Sequence, residues 1–428
     1  MTCNPKIALG VLALASAAAH AQPTLDIYAP PNNNLLVGLS QSGAYGVSYA
    51  SAAEGNLLLT TATATWTNIG GNSPANGFGG NLGISLDGRS VAGNATAANG
   101  FSQAARYDVG AGTWSTLGSL GFNGTSSIQG IKEQSSAVAI SADGSTVVGR
   151  AYFNTSGTTG SVYHPVVFRG GQVYDLNPAG TTQSGMALAS NASGTLIGGY
   201  TSNSSIGMLW RWNGSGYDTL AAPTIPNSAG VATNIQTAAI SADGTWIAGG
   251  SVNGLSTNYG GRFTPITFSP ATLWNASTGS GLVIPFDHMI DTRPTSNDVD
   301  KNMKTSVAGV SDAGTVIGSF VVNVGGNTAL VQSDAWIYDQ HTGVSLSFDS
   351  YLSDLGLGLA PTQHVWNLFS MSADGSAIAG YFFDTATNTT SAFVLHLAAP
   401  VPEPGSLAMF AAALPLLAGY AARRRRRA

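Results

Sequence analysis

Thiols and charged side chains are both scarce in this sequence. Only 9% of its 428 residues are Asp, Glu, Lys or Arg, and its single cysteine is Cys3. Residues 22–400 therefore contain no disulfide, no cysteine-ligated metal and no cysteine nucleophile. The same span has ten basic and 20 acidic side chains, a net charge near −10. Phosphate binding needs clustered Lys and Arg, so this balance argues against nucleic acid as a partner.

Familiar catalytic motifs are also missing. The sequence has no G-x-S-x-G elbow, no P-loop and no H-E-x-x-H, and its histidines show no metal-ligand spacing. Only Glu54 and Glu133 are available as glutamates in residues 22–400, so paired-carboxylate catalysis would have to use aspartates. The sequence therefore predicts no catalytic and no cofactor-binding residue. A glycan-active enzyme, a hydrolase or lyase with its site on separated loops, stays open as the alternative.

One acidic segment is a candidate calcium site. Asp298, Asp300 and Asn302 have the opening spacing of a calcium-binding loop. However, Met303 stands where such a loop needs glycine, and no glutamate occupies the closing position. A solvated acidic insert is the other interpretation of this segment.

The sequence has no long helical periodicity but does have a short repeat. An apolar run leads to Ser-x-Asp-Gly or a close variant, and a second apolar run ends in glycine. Asp-Gly between two β-prone runs predicts a tight hairpin, because glycine readily adopts positive φ and aspartate bonds its own backbone. The seven turn glycines are Gly43, Gly88, Gly144, Gly194, Gly244, Gly314 and Gly375.

A second element follows most copies of the hairpin. It is an apolar strand that carries an aromatic residue, as in Gly207–Trp210 and Ala335–Tyr338. Two hairpins per unit of roughly 50 residues predict an all-β chain, a β-propeller of about seven four-stranded blades. A β-solenoid-like repeat array is the alternative. Over residues 35–397 the unit resembles the HAF repeat of bacterial extracellular proteins.

The seventh unit lacks a fourth strand of its own. Ser372–Gly380 supplies its hairpin and Ala392–Leu395 its aromatic-type strand, after which the chain leaves the repeat. Leu25–Tyr28 precedes the first hairpin and has no partner in its own unit. A propeller removes exposed sheet edges only if its last blade is complete. We therefore predict that Leu25–Tyr28 pairs with Ala392–Leu395 and closes the ring.

The first 21 residues have the composition of a secretory signal. Lys6 precedes an apolar run, and Ala19 and Ala21 form an A-x-A cleavage site for signal peptidase. A buried first helix is the alternative interpretation. The signal predicts export of residues 22–400, which would form the repeat domain.

The C-terminal 28 residues have three parts. Val401, Pro402, Glu403 and Pro404 precede an apolar stretch at 405–422, which is long enough for one transmembrane helix. A basic cluster then follows and would stay cytoplasmic: Arg423, Arg424, Arg425, Arg426 and Arg427. An ordinary membrane anchor is the alternative, and it leaves the Pro-Glu-Pro element unexplained.

A tail of this kind resembles the PEP-CTERM sorting signal. That resemblance implies recognition by exosortase, a membrane-embedded cysteine transpeptidase thought to cut near Pro-Glu-Pro. It also implies a Gram-negative host that makes exopolysaccharide. The protein would be anchored by its C-terminal helix before processing and would then reach the cell surface or the extracellular matrix. We expect a binding or structural role there, with exopolysaccharide or biofilm as the partner.

Overall fold

The strands assemble into seven sheets arranged as the blades of a β-propeller. A computed structural model describes residues 22–29, 36–49, 55–73, 80–122, 132–153, 162–177, 181–201, 206–221, 223–226, 232–251, 257–260, 265–269, 271–286, 302–323 and 331–397. Thr24–His396 form one compact unit. The all-β prediction and the count of seven blades are confirmed.

Blades 1 to 4 are antiparallel four-stranded sheets whose first strand lies innermost. We number the strands in chain order and the blades by their hairpins. Blade 1 comprises β2 (Leu36–Leu39), β3 (Tyr45–Tyr49), β4 (Asn56–Thr60) and β5 (Thr65–Gly70), and blade 2 comprises β6 (Gly83–Ile84), β7 (Ser90–Thr96), β8 (Ser102–Asp108) and β9 (Thr113–Thr116). Blade 3 comprises β10 (Ser135–Ile140), β11 (Thr146–Phe153), β12 (Val162–Arg169) and β13 (Gln172–Asp175), and blade 4 comprises β14 (Gly185–Ser190), β15 (Leu196–Thr201), β16 (Ile206–Trp212) and β17 (Tyr217–Leu220).

Blades 5 and 6 are larger, and blade 7 takes one strand from the N-terminus. Blade 5 comprises β18 (Thr224–Pro226), β19 (Ala232–Ile240), β20 (Trp246–Ser251), β23 (Ala271–Asn275) and β24 (Ser280–Val283). Blade 6 comprises β21 (Thr257–Gly260), β22 (Pro265–Ser269), β25 (Asn302–Val310), β26 (Val316–Asn323), β27 (Val331–Asp339) and β28 (Val344–Ser347). Blade 7 comprises β29 (Gln363–Met371), β30 (Ala377–Asp384), β31 (Thr389–His396) and β1 (Thr24–Tyr28).

The repeated turn is held by a fixed set of hydrogen bonds. In blade 3 the buried Ser141 hydroxyl donates to Asp143 Oδ1 at 2.6 Å and accepts from the Thr146 amide at 3.0 Å. Asp143 Oδ1 also accepts from the Ser145 amide at 2.9 Å. The turn glycines of all seven blades have φ between 66° and 83°, which a side chain would strain. The sequence motif is therefore a structural turn.

Adjacent blades pack through the aromatic strands that the sequence indicated. Between blades 3 and 4, Trp210 is fully buried against Val148 and Val167. Between blades 5 and 6, Phe286 meets Trp336 edge-on, with ring centroids 5.0 Å apart. These contacts bury large apolar side chains between neighbouring blades and stabilise their packing.

The ring closes as the sequence predicts. β1 pairs antiparallel with β31, and the register places Thr24 opposite His396 and Tyr28 opposite Ala392. Tyr28 is 5% exposed and packs with Leu36 of blade 1 and Val394 of blade 7. The first described strand therefore completes the last blade and joins it to the first.

Two additions to the ring are not evident in the sequence. The hairpin β21–β22 leaves blade 5 and extends the sheet of blade 6, where β22 pairs with β25 in parallel. A short helix, α1 (Phe348–Asp354), connects blade 6 to blade 7. Ser347 caps it by accepting from the Ser350 amide, while Phe348 and Leu352 are buried. A 3-10 turn, Thr61–Thr63, lies in blade 1.

The predicted signal, the apolar stretch 405–422 and the arginine cluster all lie outside the described residues. Within the described ranges, no helix is long and apolar enough to cross a bilayer.

Candidate functional site

A central channel runs between the inner strands of the seven blades. Its volume is about 630 Å³, within the range of about 300–1,000 Å³ typical of ligand sites. None of the described residues that line it carries a charge. Its surface consists of aliphatic side chains, glycine and alanine, a few Ser and Asn side chains, and the aromatic rings of Tyr49 and Phe369.

A shared β-bulge determines which side chains face the channel. In blade 3 the register between β10 and β11 shifts across Ala137 and Ala139, which leaves Val138 unpaired. Val138 lines the channel. The same shift, three residues before the turn Ser or Asn, occurs in blades 1, 4, 5, 6 and 7. A bulge re-aims the extra residue, so in these six blades one bulged side chain turns inward.

The repeated turns form a hydrogen-bonded ring at one end of the channel. The residue between Ser and Asp donates its amide to the carbonyl of its counterpart in the next blade. Leu86 donates to Ala142 at 2.9 Å, Ala142 to Ala192 at 3.0 Å, and Ala192 to Ala242 at 2.8 Å. Gln41 donates to Leu86 and Asp312 to Ala373 in the same way. The turns therefore link neighbouring blades as well as forming hairpins.

Side chains complete the two remaining joints. Between blades 5 and 6, the Asp312 carboxylate accepts from the Asp243 amide at 2.9 Å. Between blades 7 and 1, Gln41 Oε1 accepts from the Ala373 amide at 2.7 Å. Gln41 and Asp312 belong to two of the degenerate repeats. Both occupy the variable position between the turn serine and the residue that precedes glycine by one, where the other copies carry Leu or Ala, so they place a side-chain acceptor where no carbonyl is used.

The turn aspartates predict a loss of stability in acid. Burial opposes ionisation of Asp143, Asp243 and Asp374, but hydrogen bonds from neighbouring Ser or Thr groups outweigh it, so their pKa values are lowered. A carboxyl whose pKa is lower in the folded than in the unfolded state stabilises the fold at pH values above its unfolded pKa, near 3.8. This contribution is lost as the pH falls below that value. We expect the free energy of unfolding, measured by urea titration, to decrease below about pH 4. Asp143→Asn should flatten that decrease, and an unchanged profile would contradict the assignment.

Asp312 has the opposite effect at the joint between blades 5 and 6. Burial, followed by the negative charge of Asp243, raises the pKa of its carboxyl. Protonation of Asp312 is therefore easier in the folded state, and this residue offsets part of the acid destabilisation.

A buried ion pair lies beside the two inner strands of blade 3. Arg150 Nη2 is 3.2 Å from Glu133 Oε1, and both residues are less than 10% exposed. The Ser136 hydroxyl also donates to Glu133. The guanidinium carbon lies 4.9 Å from the Tyr163 ring centroid, in a cation–π contact. Such a pair is costly to desolvate, so its partners must be kept together.

A histidine pair lies on the same blade. His164 is 2% exposed, and its Nδ1 is 2.8 Å from Asp175 Oδ2. The ring stacks on Phe153 with centroids 4.7 Å apart, and Nε2 has no hydrogen-bond partner. A carboxylate that orients a histidine is one element of general acid–base sites. Sequence spacing does not reveal either pair, although Glu133 is conspicuous as one of two glutamates in residues 22–400.

The residues that the sequence singled out are not brought together in the described structure. Asp298 and Asp300 lie outside the described residues, and Asn302 begins β25, where its backbone pairs with Asn323 and Thr267. Calcium binding at this segment therefore stays a prediction. Among described side chains, no group of three His, Cys, Asp or Glu could hold a metal ion. Ala19, Ala21, Val401–Pro404 and Arg423–Arg427 also lie outside the described ranges.

Comparison with known families identifies the tail. A family model described as the PEP-CTERM protein-sorting motif matches residues 400–427. The motif indicates recognition by exosortase during export and transient anchoring through the C-terminal segment. The resemblance to HAF repeats stays a prediction. No curated protein matches the chain.

Solved structures of similar architecture come from varied proteins, all at low identity. A prolyl endopeptidase is 10% identical with a TM-score of 0.47; the match covers 86% of this chain and 51% of that one, so this chain spans about half its length. The β-propeller domain of the Trilobed protease from Pyrococcus furiosus is 10% identical (TM-score 0.46), with 86% and 95% covered. Oligogalacturonate lyase from Vibrio parahaemolyticus is 10% identical (TM-score 0.47), with 90% and 98% covered.

Proposed function

We propose that this chain is an exosortase-sorted protein of the cell surface or extracellular matrix, whose propeller binds or organises exopolysaccharide without catalysis. The sorting motif at 400–427 supports export by this route. The observation that carries the non-catalytic role is the neutral lining of the central channel. Glycan hydrolysis generally uses a pair of carboxyl groups facing the scissile bond, and the channel presents aliphatic and neutral polar groups instead.

A glycan-active enzyme is the second candidate, and one observation favours it. His164 is oriented by Asp175 and has a buried Nε2 without a hydrogen-bond partner, and a histidine oriented by a carboxylate is one element of general acid–base sites. Incubating residues 22–400 with exopolysaccharide distinguishes the two candidates. Binding without new reducing ends supports the scaffold. Chain cleavage that His164→Gln removes, with the fold intact, supports the enzyme.

The sorting step gives a direct prediction for Pro402 and Pro404. In a host that contains exosortase, the wild-type chain should lose its tail, seen as a lower mass for the released protein. The double substitution Pro402→Ala/Pro404→Ala should leave most of the protein unprocessed, because the Pro-Glu-Pro element is destroyed. Mass spectrometry of membrane and secreted fractions measures this result.

Pro415→Ala is the matched control, since it replaces a proline inside the apolar stretch and leaves Pro-Glu-Pro unchanged. It should be processed like wild type. An exosortase-deficient host should leave all three chains unprocessed. Equal processing of the wild type and the double variant in the exosortase-positive host would contradict the sorting role.

A further inference from the structure

The channel wall is uniform around most of the ring but differs at blade 7. The bulged residue three positions before the turn is aliphatic in blades 1, 3, 4, 5 and 6, and Leu82 occupies the equivalent position in blade 2. In blade 7 it is Phe369. The aliphatic members are Val37, Leu82, Val138, Leu188, Ala238 and Ala308.

Blade 7 also has a bulge that the other inner strands lack. Besides the shared shift across Leu368 and Ser370, the register between β29 and β30 shifts across Val365 and Asn367. The residue displaced there is Trp366. In each of the other six blades, the described pairing between the inner strand and the next strand shows at most one register shift. Bulges re-aim side chains and are frequent next to functional sites, so the two bulges of β29, which re-aim Trp366 and Phe369, mark this part of blade 7 as a candidate site.

These two residues join a continuous aromatic surface, which we call the blade 7 aromatic wall: Trp366, Phe369, Tyr381 and Phe383. Trp366 lies 5.1 Å from Phe383 and 6.1 Å from Tyr381 between ring centroids. Phe369 stacks on Tyr381 at 5.3 Å. All four side chains are half-buried, neither sealed in the core nor fully exposed. Fully packed aromatic residues elsewhere, such as Trp210, are completely buried.

Neutral polar groups border the wall. The Asn367 side chain hydrogen-bonds the Tyr381 hydroxyl, whose pKa is raised by burial, and it also accepts from the Ser319 hydroxyl. Asn367 and Ser370 line the channel with Phe369. On the neighbouring blade 1, Tyr49 lines the channel as well, and burial raises the pKa of its phenol to about 12. Its hydroxyl therefore stays neutral and can donate a hydrogen bond.

We propose that the blade 7 aromatic wall and the adjoining channel form a binding site for an uncharged oligosaccharide. A sugar ring has an apolar face of C–H groups that stacks on flat aromatic rings, and a rim of hydroxyls that bonds amides and hydroxyls. The uncharged lining supplies no cation for a uronate, sulfate or phosphate group, so burying such a group there would be costly. This inference rests on the proposed polysaccharide-binding function and names its ligand class and location.

The test uses residues 22–400, whose ring closes within that span. Isothermal titration calorimetry would compare neutral hexasaccharides (cello-, malto-, laminari- and chito-oligosaccharides) with hexagalacturonate. At least one neutral ligand should bind at least tenfold more tightly than hexagalacturonate. Phe369→Val installs the aliphatic residue found in blade 3, and Trp366→Leu shortens the wall. Each should weaken binding by about two- to tenfold, which is the loss expected for one stacked ring.

Trp212→Leu is the matched control, because it removes a half-buried tryptophan in blade 4, away from the channel lining. It should bind like wild type. Melting temperatures identify any variant that fails to fold, and Phe369→Val keeps the site testable because valine occupies the same position in blades 1 and 3. Preference for the charged ligand, or for a proline-rich peptide, would overturn the proposal. So would unchanged affinity in both blade 7 variants.

A parallel pull-down on native exopolysaccharide separates this inference from the proposed function. If wild type and both blade 7 variants associate equally with the polysaccharide, the site is wrong and the proposed function stands. If the wild type does not associate at all, the proposed function fails. If Phe369→Val and Trp366→Leu both reduce association with the polysaccharide and Trp212→Leu does not, the result supports both the binding site and the proposed function.

Discussion

A protein that lacks Thr24–Tyr28 should fail to form a stable monomeric ring. The deletion removes the fourth strand of blade 7 and exposes the edge of β31 along five paired residues. It also removes Tyr28 from the core shared by blades 7 and 1, and loss of a large buried aromatic residue alone costs about 3–5 kcal/mol. Because a whole domain is stable by only about 5–15 kcal/mol, the combined loss should unfold or aggregate the protein.

Rescue in trans makes this prediction specific. A synthetic peptide with the sequence of residues 22–29 should bind the open edge of β31 and raise the melting temperature of the truncated protein. A peptide with the same composition in scrambled order is the control. Ile27→Ser in the full chain should be nearly neutral, since Ile27 is 54% exposed. A truncated protein that melts within a few degrees of wild type would show that closure contributes little.

Breaking the Arg150–Glu133 pair should produce the second large effect. Arg150→Met leaves the Glu133 carboxylate buried without its cation, and removing one member of a buried pair costs about 3–5 kcal/mol. Glu133→Gln should be similarly destabilising, because Arg150 is then left charged in the same site. Urea denaturation monitored by tryptophan fluorescence would give both values.

The double variant Glu133→Leu/Arg150→Met distinguishes a pair from two independent contacts. Replacing both charges with apolar groups of similar volume is often neutral, so the double variant should be more stable than Arg150→Met alone. Arg211→Met is the matched control, because Arg211 is exposed on β16, and it should change stability by less than about 1 kcal/mol. Additive effects in the double variant would show that the two charges do not depend on each other.

The periodic features of the fold could be predicted because they are local. Ser-x-Asp-Gly specifies its own hairpin through bonds within five residues, such as Ser141 to Thr146, so seven copies predict seven hairpins. Closure was predictable because β1 had no partner in its own unit and the seventh unit lacked a fourth strand beside β31. The physical reason is the same in both cases. An unpaired sheet edge or a turn with unsatisfied hydrogen bonds is energetically costly, so the residues that prevent it can be recognised in the sequence.

Other features depend on contacts between distant residues and leave no such sign. The parallel pairing of β22 with β25 crosses from one blade to another. The Arg150–Glu133 pair joins Arg150 on β11 to Glu133, which lies just before β10 of the same blade. The aromatic wall depends on the second bulge in β29, which changes the face that Trp366 occupies. A one-residue register change is invisible in an alternating apolar pattern until the partner strand is known.

The pairing of β1 with β31 has a consequence for the time course of secretion. An exported chain emerges in order from its N-terminus, so Thr24–Tyr28 crosses the membrane before Thr389–His396, which lies shortly before the sorting motif. Joining segments about 370 residues apart carries a loop entropy of about 5 kcal/mol, which only the fully delivered blades can offset. A chain truncated before β31 can form hairpins but cannot close the ring, which leaves a sheet edge exposed. The last blade is therefore completed only after the residues just before the sorting motif have been delivered.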